Sequence, residues 1–152
     1  MHLALGRKEA YSIEIVMRLA ESPPGVRVKA REIGAAAHVS GHYVAQVLAD
    51  LVRAGVLNAR AGRGGGYELA RPPSEITLLD VIEAAGGSVA EEAAPSGGAP
   101  STGHGFALQR EWSGVRSLLS AELRRTRITD LNAAVRTLAA AISSLSPGDP
   151  PR

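Results

Sequence analysis

Between residues 41 and 70 the chain changes its hydrophobic period, and this change most limits what it can fold into. From Gly41 to Arg53, Val44, Val47, Leu48 and Leu51 recur at three- and four-residue steps, the spacing of one helix face. Ser40 stands at the N-cap position of that helix, and Gly55 lies just past its end, the usual left-handed stop. Residues 56–70 then read as two short strands, Val56-Leu57-Asn58-Ala59-Arg60 and Tyr67-Glu68-Leu69-Ala70. Between them Ala61-Gly62-Arg63-Gly64-Gly65-Gly66 forms a glycine-rich hairpin turn. These glycines lie between strands, with no following helix and no GKS or GKT, so they do not form a phosphate-binding nucleotide loop.

The flanking segments are helical. Over residues 8–21, Tyr11, Ile15 and Leu19 are spaced four apart, with Val16 and Ala20 beside them. Pro23, Pro24 and Gly25 break that pattern, and a short helix follows over Lys29–Ala37, carried by Ala30, Ile33 and Ala37. After Arg71-Pro72-Pro73-Ser74, a helix over Leu78–Ala85 takes Thr77 as N-cap and Asp80 in its first turn, where negative charge is favoured. Residues 86–105 are mostly Gly, Ala, Ser and Pro with two glutamates, Val89 being the one sizeable apolar side chain; a mobile loop is expected. Helical spacing returns with Leu108, Trp112, Val115 and Leu119, and again with Leu131, Val135, Leu138, Ile142 and Leu145. The expected fold is therefore mainly α with a small β-hairpin. Its parts are a domain over 1–85, the loop 86–105, paired helices over 106–146 and a disordered tail over 147–152. Each of the paired helices offers a single apolar stripe, which asks for a partner, most simply a second copy of the chain.

Helix, short helix, turn, helix and glycine-tipped hairpin is the order of a winged helix-turn-helix. Its third helix would present Ser40, His42, Tyr43 and Gln46 toward base edges and phosphates of double-stranded DNA. Over residues 53–71 Arg53, Arg60, Arg63 and Arg71 face Glu68 alone, although the 152-residue chain totals only +2. Arg60 and Arg63 thus join the candidate DNA contacts, since glycines let a backbone come close to phosphate. Arg7 and Lys8 are further candidates for backbone contact near the first helix. Tyr43 and Tyr67 each have a packing role as the alternative. His2, His38, His42 and His104 are scattered and no catalytic motif occurs, so no enzyme is expected. The chain has no cysteine, which removes disulfides, thiolate nucleophiles and cysteine-ligated metals. One Trp, three Tyr and one Phe are too few for a base-stacking platform. No apolar run is long enough for a membrane span and no signal peptide is evident, so a cytoplasmic protein is expected.

At these residues the chain resembles the Rrf-two family of bacterial winged-helix regulators. GRGGGYELARPPSEITLLDVIEA, residues 62–84, is similar to the family's wing and following helix, and VSGHYVAQVLADLVRAGVL to its recognition helix. KEAYSIEIVMRLA resembles its first helix and RITDL, residues 127–131, the opening of its last. The resemblance implies a homodimer on a palindromic operator, usually a repressor, with 106–124 as the dimerisation helix. Ala45 and Ala61 depart from the family pattern at two contact positions. Many members hold an iron–sulfur cluster on three cysteines in the segment corresponding to 90–106, where this chain has Ala93, Ala99 and Phe106. Glu91, Glu92 and His104, and Glu9 on the first helix, read as solvated side chains, so no cofactor and no metal are expected. The signal would be a small molecule effector, a protein partner or nothing beyond DNA. Two other readings are a winged-helix module docked on a protein partner with decayed DNA binding, and a ligand sensor with a pocket beneath Trp112 and the 86–105 loop.

Overall fold

The computed structural model describes residues 6–86 and 103–145. Helix α1 (Arg7–Ala20) buries Ile15, Val16 and Leu19 and ends before Pro23 and Pro24. Helix α2 (Ala30–Ala36) starts where the Glu32 carboxylate accepts the Lys29 backbone N–H at 3.3 Å. The turn to α3 (Gly41–Arg53) passes through His38, which holds φ at +54°.

Helix α3 has the expected bounds because signals at both ends agree. Ser40 occupies the N-cap, but its hydroxyl makes no capping bond; its carbonyl accepts Val44 N–H at 3.0 Å. At the far end Gly55 takes φ +73°, Gly55 N–H reaches Val52 O at 3.0 Å and Val56 N–H reaches Leu51 O at 2.9 Å. Those two bonds are a Schellman stop, which satisfies carbonyls the helix leaves open. They commit the Val56 N–H to the helix end, while its carbonyl still accepts Ala70 N–H at 3.0 Å. Strand β1 runs Leu57–Arg60 and pairs antiparallel with β2 (Gly66–Leu69), Leu57 opposite Leu69 and Arg60 opposite Gly66. Val28 adds a short third pairing, exchanging two backbone hydrogen bonds of 2.9 Å with Tyr67.

Helix α4 (Leu78–Ala84) opens with the reciprocal cap expected of Thr77: its Oγ1 accepts Asp80 N–H at 3.0 Å, and Asp80 accepts Thr77 N–H at 2.9 Å. Helix α5 (Gly103–Arg125) begins inside the span expected as loop, and α6 (Ile128–Leu145) follows after a two-residue junction. Residues 87–102 of that expected loop, with Glu91, Glu92, Ala93 and Ala99, lie outside the described residues, as does the tail from 146.

The α5–α6 junction is bonded to the core. Leu78 N–H donates to Thr126 O at 2.9 Å and Ile128 N–H to Ile76 O at 3.0 Å. Ile76 and Ile128 are both fully buried. Asn132 is buried and donates to Met17 O at 3.1 Å, capping one of the last carbonyls of α1. The start of α6 is thus part of the core formed by α1, α3 and α4 rather than of a separate helical pair. Beyond it α6 leaves the body: Val135, Leu138 and Ile142 are exposed, as are Val115 and Leu118 on α5.

Candidate nucleic-acid interface

The buried residues of α3 determine its outer face. Val44, Val47, Leu48 and Leu51 are at most 1% exposed, which leaves His42, Ala45, Gln46 and Ala49 along the opposite side, all exposed. Ser40 is exposed at the helix N-terminus, beside His42 and Gln46 one turn apart. Tyr43 is placed differently. It is half-buried, and its ring meets Tyr11 edge-on at 5.7 Å between centroids and 74° between planes. Its packing against α1 is what the fold uses, an edge-to-face contact of the favoured kind. Tyr67 likewise packs against the core.

The wing carries the free charge. Arg60 at the end of β1 and Arg63 in the turn are exposed, and neither has an ion pair among the described residues. The other basic residues counted from sequence are committed elsewhere. Arg53 pairs with Asp50 at 2.7 Å and Arg71 with Asp80 at 3.5 Å. Glu68, the one acid of the hairpin, is held by Arg27 at 2.8 Å, so it does not neutralise Arg60 or Arg63. Lys8 is not free for phosphate either: it bonds Asp50 at 2.6 Å. That hydrogen bond, with a smaller contribution from Arg53 and against a modest burial effect, holds the Asp50 carboxyl below its ordinary 3.8. The Lys8–Asp50–Arg53 cluster ties α1 to α3 beneath the candidate surface.

Glycine is required at Gly66, where φ is +139° and a Cβ would stand 2.7 Å from Val28 O. The segment leading into α2 therefore runs against the wing at Val28. Sequence reasoning missed this third pairing, the Arg27–Glu68 bridge and a bond from Lys29 Nζ to Gly62 O at 2.8 Å. These partners are about forty residues or fewer apart in sequence but not in any common repeat, so no local pattern announces them.

A cleft of about 380 Å³ lies behind the wing, between Pro23-Pro24-Gly25 and Ala70-Arg71-Pro72. Trp112 does not line this cleft. The pocket of the sensor reading, beneath Trp112 and residues 86–105, falls largely on residues outside those described. Among the described residues no group of three His, Asp or Glu side chains could hold a metal ion, and no helix is long and apolar enough to cross a membrane.

A helix-turn-helix with an exposed polar recognition face and a basic wing defines a winged-helix, DNA-binding transcriptional regulator. Comparison with known proteins agrees. A model of the Rrf2 family, described as iron-dependent transcriptional regulators, matches residues 5–134, and the chain belongs to that family. It is 28% identical over 130 residues to an HTH-type transcriptional regulator of Mycobacterium tuberculosis, covering 85% of this chain and 81% of that protein. It is 29% identical over 134 residues to the HTH-type transcriptional regulator IscR of Cereibacter sphaeroides, covering 86% of each. Among solved structures, CymR, the global cysteine regulator of B. subtilis, superposes with a TM-score of 0.72 at 25% identity, over 88% of this chain and 98% of that one. These relatives are regulators, not enzymes.

Proposed function

We propose that the chain acts in the cytoplasm as a homodimer that represses transcription from a palindromic operator, without an iron–sulfur cluster. The observation that carries this reading is the pair of uncommitted arginines, Arg60 and Arg63, on a wing whose only acid is already neutralised. Arg63, among glycines, suits a phosphate or minor-groove contact. On α3, Gln46 and His42 would read base edges and Ser40 a base or phosphate; Tyr43 would add its hydroxyl from a packed ring. Residues 6–86 with the first turn of α6 would be the DNA-binding unit. The rest of α5 and α6 would form the dimer, because Val115, Leu118, Val135, Leu138 and Ile142 are exposed apolar side chains among the described residues.

The cluster fails on donor chemistry. The resemblance implies three cysteine thiolates, and this chain has none; Ala93, Ala99 and Phe106 offer iron no lone pair. The signal would then be a small molecule or a protein partner.

Selection of duplexes from a random pool tests the reading. The expected product is a two-fold symmetric site with half-sites about 10 base pairs apart or a multiple of that. Its affinity should fall steeply with salt, and Arg63→Ala should weaken selected and unselected duplexes alike. Anaerobically purified protein should show no cluster absorbance, and deletion of the gene should raise expression from the selected promoter. Recovery of no symmetric site, together with one stoichiometrically bound enzyme, would replace this reading with the docked protein module.

A further inference from the structure

The wing tip, residues 61–66, has little of its own to hold it. Glycine at 62, 64, 65 and 66 leaves the backbone with more freedom to lose than any other residue would. Inside the turn Gly65 N–H donates to Gly62 O at 3.1 Å. The same carbonyl accepts a second hydrogen bond, 2.8 Å long, from the ammonium of Lys29, a residue 33 positions away in sequence. Lys29 is also the residue from which α2 starts, its backbone N–H held by Glu32. One half-buried side chain therefore joins the entrance of the helix-turn-helix to the tip of the wing.

Its neighbours hold the same hairpin lower down. Arg27 pairs with Glu68 at 2.8 Å, and Val28 exchanges two backbone bonds of 2.9 Å with Tyr67. Three consecutive residues thus brace the wing at its base, its middle and its tip, and only the last of these contacts reaches the turn that carries Arg63.

We propose that Lys29 is a positioning residue for DNA binding: it latches the wing turn to the helix-turn-helix, so that Arg63 is presented in a preset place relative to α3. This rests on the reading of the wing as a DNA contact. An ammonium donating to a carbonyl is a charge-assisted bond, and holding a loop in its bound shape beforehand removes ordering entropy from the binding step. Lys29 does not itself need to touch phosphate to act in this way.

The test uses the full-length protein and the Lys29→Met variant, which keeps the length of the stem but cannot donate. In free protein, NMR order parameters of residues 62–65 should fall from near 0.85 to below about 0.6 in Lys29→Met and recover in Lys29→Arg. Unchanged order parameters would overturn the latch whatever DNA does. On the selected duplex, Lys29→Met should weaken binding about threefold to tenfold. In an Arg63→Ala background the same substitution should have almost no further effect, because the latch acts through the arginine. An equal loss in both backgrounds would overturn the proposal in favour of a direct phosphate contact by Lys29. If Arg63→Ala alone leaves affinity intact, the wing reading fails. The latch, if the order parameters still fall, then stands as a structural contact only, and its role in DNA binding is overturned.

Discussion

His38 is the one non-glycine residue among those described with positive φ, at +54° in the turn between α2 and α3. That turn must redirect the chain within residues 37–40 for Ile33 and Val44 to share a core, and close packing of Gly34, whose added Cβ would meet Val44 Cγ2 at 3.1 Å, leaves little room to relax. A side chain in the left-handed region costs about 1–2 kcal/mol, part of which glycine would return as greater freedom of the unfolded chain. His38→Gly should therefore stabilise the protein by about 0.5–1 kcal/mol. Urea unfolding checks this through a raised midpoint with an unchanged slope. A lower midpoint would mean that the imidazole makes a local bond worth more than the strain. No periodicity argument finds this residue, since apolar spacing says where helices lie and not what φ a turn demands.

Elements differ in how openly the sequence shows them, and α3 is the most legible. Its apolar spacing, its N-cap position and Gly55 agree, and its bounds follow. The hairpin was legible as a hairpin, but its first strand starts one residue later because the Schellman stop at Gly55 uses the Val56 N–H and leaves only its carbonyl to the hairpin. Charge was the least legible property. Counting Arg53 and Arg71 with the wing overlooks that Asp50 and Asp80 take them, and nothing local links Arg27 to Glu68 across the hairpin.

Two predictions belong to this scale. Gln46, on the outer face of α3, should affect which bases are preferred: Gln46→Ala should cost about 1–3 kcal/mol at one base position of the selected site and little on unrelated duplexes. Competition with single-base variants measures it, and an equal loss on every duplex would place Gln46 on phosphate instead. Between α1 and α3, Lys8 and Arg53 depress the Asp50 carboxyl below 3.8. A depressed carboxylate contributes stability that is fully present above its unfolded value and lost as pH falls through the lower folded value. The advantage of the natural protein over Asp50→Asn should thus be flat from neutral pH to about 5 and shrink below about 4. With Arg53 largely exposed it should not exceed about 1 kcal/mol. Thermal unfolding of both proteins across that range decides it; an advantage that grows on acidification would refute the sign.

At the scale of the molecule, the fold joins a closed core to an open arm. Main-chain bonds from Leu78 and Ile128, and the Asn132 amide on Met17, fix the start of α6 to the DNA-binding body. Past Asn132 the helix stands clear, with Leu138 and Ile142 each 61% exposed and Leu118 of α5 73% exposed. Fully covering a leucine or isoleucine is worth about 1.5–3 kcal/mol, so covering several such residues on two helices would favour association with a second copy against the entropy that association costs. Because α6 is rigidly rooted, the pairing of two arms would also set the distance between two recognition helices. Introducing charge on the arm should separate these effects from folding. Leu138→Asp and Leu118→Asp should each yield monomers by light scattering, with helix content kept, because neither side chain supports the core. Operator affinity should fall by about 10²–10⁴, the advantage of engaging two half-sites through one molecule, while the weaker binding to an isolated half-site persists. A dimer that survives both substitutions would place the interface elsewhere. A monomer that keeps full operator affinity would show that a single recognition unit does the binding.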